Sequence, residues 1–144
     1  GIRAIPGGGS TTDSVQIGSD WYFSTKVTLT PTDINSGNST PIEAIAAPGV
    51  GYAIDVISAT TRMVYNSVAY TENPDITIIN NTNPVFICSG FPLGTDATFG
   101  KKFFAVNADD NFTENTPVNI QFSVDNTDGD SNLIIYFYYR KITL

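Results

Sequence analysis

Val118-Asn119-Ile120-Gln121-Phe122-Ser123-Val124 places an apolar side chain at every second position, the period of a strand with one face buried and the other wet. Asp125-Asn126-Thr127-Asp128-Gly129-Asp130 follows, a run of turn formers, and then the apolar stretch 133–144. Read in order, these three pieces predict an antiparallel hairpin between the last two strands.

The same period runs through residues 21–29, where Trp21, Phe23, Val27 and Leu29 share one parity and Ser24, Lys26 and Thr28 the other. Further strand candidates are 41–47, 52–65, 75–79, 85–88 and 103–107, separated by Gly, Pro, Asn and Asp clusters. Ala47-Pro48-Gly49-Val50-Gly51 reads as a tight turn; a strand pattern follows it, so it lacks the helix a phosphate loop needs. No window has an amphipathic helical face, and residues 32–39 could hold one short turn at most. The expected fold class is all-β, an antiparallel β-sandwich of jelly-roll type. With 144 residues the chain fits one such domain, expected over residues 20–144. Residues 1–19, with Pro6, Gly7-Gly8-Gly9 and a Ser/Thr cluster, read as a flexible connector without a signal-peptide pattern.

The final strand is apolar on both faces. Leu133, Ile135, Phe137 and Tyr139 alternate with Ile134, Tyr136, Tyr138 and Ile142, whereas a two-layer sandwich normally leaves one face of each sheet to water. The expectation is an interface with another subunit that includes Leu133, Ile134, Tyr136, Tyr138 and Ile142.

Composition narrows the chemistry. Seven Lys and Arg against fourteen Asp and Glu give a net charge of −7, which disfavours nucleic acid and anionic membranes as partners unless the few cations cluster. Ser, Thr and Asn fill 42 positions, so uncharged polar groups do most of the surface work. The absence of His removes Ser-His and Cys-His nucleophile systems and the common zinc sites. Cys88 cannot pair within the chain and sits in an apolar run that suits core packing. An enzyme would have to use carboxylates, as a glycan hydrolase does, with Glu72 or Glu114 opposite an Asp; both lie in polar, turn-like surroundings. Residues 125–130 are oxygen-rich but lack the closing Glu and flanking helices of an EF-hand. No catalytic residue, cofactor or metal is expected. Exposed aromatics could stack on sugar rings, and loops 91–98 and 109–114, with Phe91 and Phe112, form a possible rim for a host surface glycan.

Two stretches, residues 26–70 and 134–140, resemble a known family. Lys26-Val27-Thr28-Leu29-Thr30, Thr40-Pro41-Ile42-Glu43, Ala46-Ala47-Pro48-Gly49-Val50-Gly51, the pair Tyr65 and Tyr70, and the closing Ile134-Ile135-Tyr136-Phe137-Tyr138-Tyr139-Arg140 follow the order seen in small virion structural proteins of tailed bacteriophages. The chain departs from that pattern at Gly51-Tyr52-Ala53 and at Asp109-Asp110. The resemblance implies a β-sandwich module of a virion, a capsid decoration or head-fibre element or else a tail-fibre tip. It further implies homotrimeric assembly, capsid or fibre proteins as partners and no catalytic residues.

Overall fold

A computed structural model describes residues 9–18, 20–80, 82–106 and 112–144. Among the described residues ten strands and one short helix follow in order: β1 (Gly9–Ile17), β2 (Asp20–Leu29), α1 (Pro31–Asn35), β3 (Ile42–Ile45), β4 (Tyr52–Val64), β5 (Ile76–Asn80), β6 (Asn83–Cys88), β7 (Phe99–Lys102), β8 (Phe104–Ala105), β9 (Val118–Phe122) and β10 (Asn132–Thr143). They form two five-stranded sheets, sheet A in the order β1-β2-β10-β4-β7 and sheet B in the order β3-β9-β5-β6-β8. All pairings are antiparallel. The chain passes repeatedly from one sheet to the other, and its early strand β2 lies beside its last strand β10. This is the all-β sandwich with jelly-roll order that the strand pattern predicts.

The core follows from the alternation. Val27 and Leu29 from β2, Ala59 and Met63 from β4, and Leu133, Ile135 and Phe137 from β10 meet Ile76, Ile78, Val118, Ile120 and Phe122 of sheet B. All of these are buried. Cys88 lies in the same core, where burial pushes its thiol pKa up. Thr30 starts α1 by donating its backbone N–H and hydroxyl to the Asp33 carboxylate, at 3.0 and 3.1 Å, and Ile34 drops into the core. After the helix, Gly37 lies so close to the Phe122 ring that an added Cβ would fall 2.7 Å from Cδ2. Only glycine fits there without moving the ring.

Three sequence expectations change. Residues 9–17 of the expected connector form β1, whose nine residues pair with β2 from Gly9–Thr28 to Ile17–Asp20. The alternation of Asp13, Val15 and Ile17 with Ser14 and Gln16 is short and sparse, and a neighbouring strand recruits it; residues 1–8 and 19 lie outside the described residues. β9 and β10 are not a hairpin, because β9 belongs to sheet B and β10 to sheet A. β7 goes unrecognised in the sequence, since Phe99-Gly100-Lys101-Lys102 has too little apolar pattern to read as a strand.

The segment between β9 and β10 crosses the sandwich as a polar rail. Its side chains accept hydrogen bonds in sequence order from residues 38–39 and 66–75. Ser123 Oγ accepts from Asp75 N at 2.9 Å, and Asp125 accepts from the backbone N–H groups of Asn38 and Ser39 and from the Ser39 hydroxyl. Asn126 Oδ1 accepts from Glu72 N, and Asp128 from the Thr71 hydroxyl. Asp130 accepts from the backbone N–H groups of Ser67 and Val68, from Asn66 Nδ2 and from the Ser67 hydroxyl. These donors stabilise the carboxylate, so Asp125 is pulled down in pKa, first by the Ser39 hydroxyl, and Asp130 falls to about 2, first by the Ser67 hydroxyl. The buried Tyr70 hydroxyl donates to Ser131 O at 2.6 Å, and burial pushes its pKa up. The turn formers in 125–130 therefore bind the crossover to its neighbours.

Candidate interaction face

The outer face of sheet A is assembled from alternate residues of its strands. β2 turns Thr25, Val27 and Leu29 inward, so Tyr22, Ser24, Lys26 and Thr28 point outward; β10 turns Leu133, Ile135 and Phe137 inward and Ile134, Tyr136, Tyr138, Arg140 and Ile142 outward. Register aligns these into rows across the sheet: Thr28, Ile134 and Arg62; then Lys26, Tyr136, Thr60 and Lys102; then Asp13, Ser24, Tyr138 and Ser58; then Val15, Tyr22, Arg140 and Asp55.

A bulge in β4 shapes the middle of this face. Tyr138 pairs with Ser58 and Tyr139 with Val56, which leaves Ile57 as an extra residue, half exposed at 49%. Ile57, Val15, Tyr22 and Tyr138 surround a mostly apolar groove of about 350 Å³, with Asp13 and Ser24 at its edge. Tyr139 and Phe23 also line the groove and stack on each other with ring centroids 4.9 Å apart, and burial pushes the Tyr139 pKa up. Beside it, Arg140 donates to Asp55 at 3.0 Å, which raises the guanidinium pKa.

Of the five interface residues expected from the sequence, Ile134, Tyr136, Tyr138 and Ile142 share this outer side, and Tyr138 is the most open at 51%. Leu133 does not belong with them. It is fully buried in the core on the opposite side of β10, because adjacent residues of a strand face opposite ways. Sequence reasoning also misses Val15, Ile57 and the cations Lys26, Arg62 and Lys102, and it offers Tyr22 as an exposed aromatic without placing it on this face. The alternation around Val15 is too sparse to stand out, and the bulge that adds Ile57 and the register that gathers the cations leave no local signal.

The expected aromatic rim separates. Phe91 is fully buried and stacks on Phe99 at 5.2 Å, so it is a core residue and offers no surface to a sugar. Phe112 is 44% exposed, but residues 107–111 of its loop lie outside the described residues. Glu72 and Glu114 are both exposed, and the backbone N–H of Glu72 is tied to the rail. Among the described residues no three His, Cys, Asp or Glu side chains gather, and no helix is long and apolar enough to cross a membrane.

No protein-family model matches the chain, and no curated protein matches it.

Proposed function

We propose that this chain is a non-enzymatic structural module of a bacteriophage virion, a capsid decoration or head-fibre element, which works by packing the outer face of sheet A against copies of itself and against virion proteins. The placement in a virion is supported by the order of the Thr40-Pro41-Ile42-Glu43, Ala47-Pro48-Gly49-Val50-Gly51 and Ile134-to-Arg140 segments. The observation that carries the mode of action is that Tyr138, Tyr22, Val15 and Ile57 line an open groove on one sheet face, with Ile134 and Tyr136 in the neighbouring rows of the same face. Contiguous apolar surface of this kind marks a protein–protein contact, and tyrosine is enriched at such contacts. On the outside of sheet B, β9 presents Asn119 and Gln121 and β5 presents Thr77 and Ile79, while Ile87 and the exposed Phe104 lie toward the β6–β8 edge.

Light scattering after size exclusion tests the packing on the wild type, Tyr138→Asp and the control Gln121→Asp. The wild type and the control are expected to run as the same oligomer and Tyr138→Asp as a single chain. A Tyr138→Asp variant of unchanged oligomer mass would overturn the role of this face. Mass spectrometry of purified virions from the source genome tests the location, and a chain found only outside the particle would overturn it.

A further inference from the structure

The outer face of sheet A is polarised along its strands. The rows of Ile134 and Tyr136 hold Lys26, Arg62 and Lys102 and no carboxylate among the described residues. The rows of Tyr138 and Arg140, with the strand end beyond them, hold Asp13, Asp55 and Asp20 against the single cation Arg140, itself bound to Asp55. Three of only seven cations in a chain of net charge −7 thus share one half of one face, and three acids share the other half.

We propose that two copies of this chain pack these faces together about a two-fold axis that runs across the strands between the Tyr136 and Tyr138 rows. This rests on the self-association proposed above and specifies its geometry. Such an axis lays each strand antiparallel over its own copy and inverts the order of the rows. Lys26 of one copy then meets the Asp13 edge of the other, and Arg62 meets Asp55, with each contact made twice as a two-fold interface requires. The apolar rows follow the same operation: Tyr136 of one copy comes down over Tyr138 at the groove of the other, and Ile134 over the Arg140 row beside Tyr22 and Val15. A two-fold axis along the strands would instead keep each row over the same row and set the cation half of one face against the cation half of the other, so the charge pattern selects the antiparallel arrangement.

The size is sufficient. Four strands about 4.8 Å apart and about nine residues long offer roughly 600 Å² per copy, or about 1,200 Å² in the pair, at the lower edge of specific interfaces. Two sheet faces of this shape pack about 10 Å apart, a distance that Tyr, Lys and Arg side chains span.

Charge reversal in separate chains provides the test. Lys26→Asp and Asp13→Lys, both at exposed positions, are each expected to run as single chains in light scattering, because each sets like charges against each other across the axis. Mixed in equal amounts, they are expected to recover the two-copy mass of the wild type, since every contact in the mixed pair again joins opposite charges. If either variant fails to fold by circular dichroism, carbodiimide cross-linking of an equal mixture of wild type with natural and heavy nitrogen takes its place, and a mixed-isotope Lys26–Asp13 link is expected. A mixture that stays at single-chain mass, a missing mixed-isotope link, or a wild type of three-copy mass would overturn the two-fold arrangement. In those cases a Tyr138→Asp variant that still dissociates would leave the role of the face intact. A wild type that runs at single-chain mass in light scattering at every concentration tried would overturn both.

Discussion

Gly129→Ala tests whether the rail between β9 and β10 is packed as tightly as its hydrogen bonds suggest. A Cβ on Gly129 would lie 2.2 Å from Tyr70 Cδ1 and 2.4 Å from Cε1, against roughly 3.5–4.0 Å for a comfortable carbon contact. Gly129 is not among the residues of positive φ, so backbone strain adds nothing and the clash acts alone. The ring cannot yield cheaply, because Tyr70 is only 3% exposed and its hydroxyl is held on Ser131 O at 2.6 Å. Overpacking of this kind costs about 1–3 kcal/mol, and a buried hydroxyl pulled off its acceptor costs about 1 kcal/mol more. The sum, about 2–4 kcal/mol, corresponds to a melting temperature lower by roughly 10 °C in a domain of this length. Urea unfolding at constant slope measures it, and a cycle with Tyr70→Ala checks the cause: the double variant should be more stable than the two single losses added together. A Gly129→Ala loss below about 0.5 kcal/mol, or additive behaviour in the cycle, would refute this packing.

Three further outcomes follow from other parts of the molecule. Asp130 has a folded pKa of about 2, below the roughly 3.9 of an unfolded chain, so its contribution is complete above about pH 4 and is lost as pH falls toward 2; Asp130→Asn should flatten the fall in stability between about pH 5 and pH 2, and an unchanged acid limb would contradict the rail's hydrogen bonds. Removing residues 1–19 takes away β1 and bares the edge of β2, which should lower the melting temperature and promote aggregation; a truncated chain that melts and stays dispersed like the full one would show that β1 stabilises nothing. Phe91→Ala should cost about 3–5 kcal/mol in urea unfolding as a cavity in the core, and a near-neutral change would return Phe91 to the surface.

Most of the sandwich was legible because burial on one side of a sheet writes itself into the sequence with period two. β2 and β9 show it plainly, β4 and β10 read as strands from their β-branched and aromatic content, and the turn residues between them mark where strands stop. What failed was non-local. Whether Val118–Phe122 pairs with β10 or faces it from the other sheet is decided by strand partners far away in sequence, since β9 sits between β3 and β5. The turn formers of 125–130 look the same in a hairpin and in a crossover, and their carboxylates have distant partners such as Ser39 and Ser67. The candidate face was half legible for the same reason. The apolar second side of β10 was visible as a pattern, but its neighbours Val15, Tyr22 and Ile57 join it only through register and a bulge. Leu133 falls on the wrong side because a strand apolar on both faces does not mark which of them meets the core. Phe91 was misread because turn-like flanks hide a side chain that folds back onto Phe99.

Tyrosine footprinting tests most directly whether another subunit covers the outer face of sheet A. Mild nitration, read by mass spectrometry along a dilution series, compares Tyr138, half exposed in the single chain, with Tyr52, 38% exposed under Lys141 and away from the groove. Tyr138 is expected to be protected in concentrated, associated protein and to become reactive on dilution, while Tyr52 stays equally reactive throughout. Equal labelling of Tyr138 at every concentration would contradict the assignment of this face as the place where the protein meets its partners.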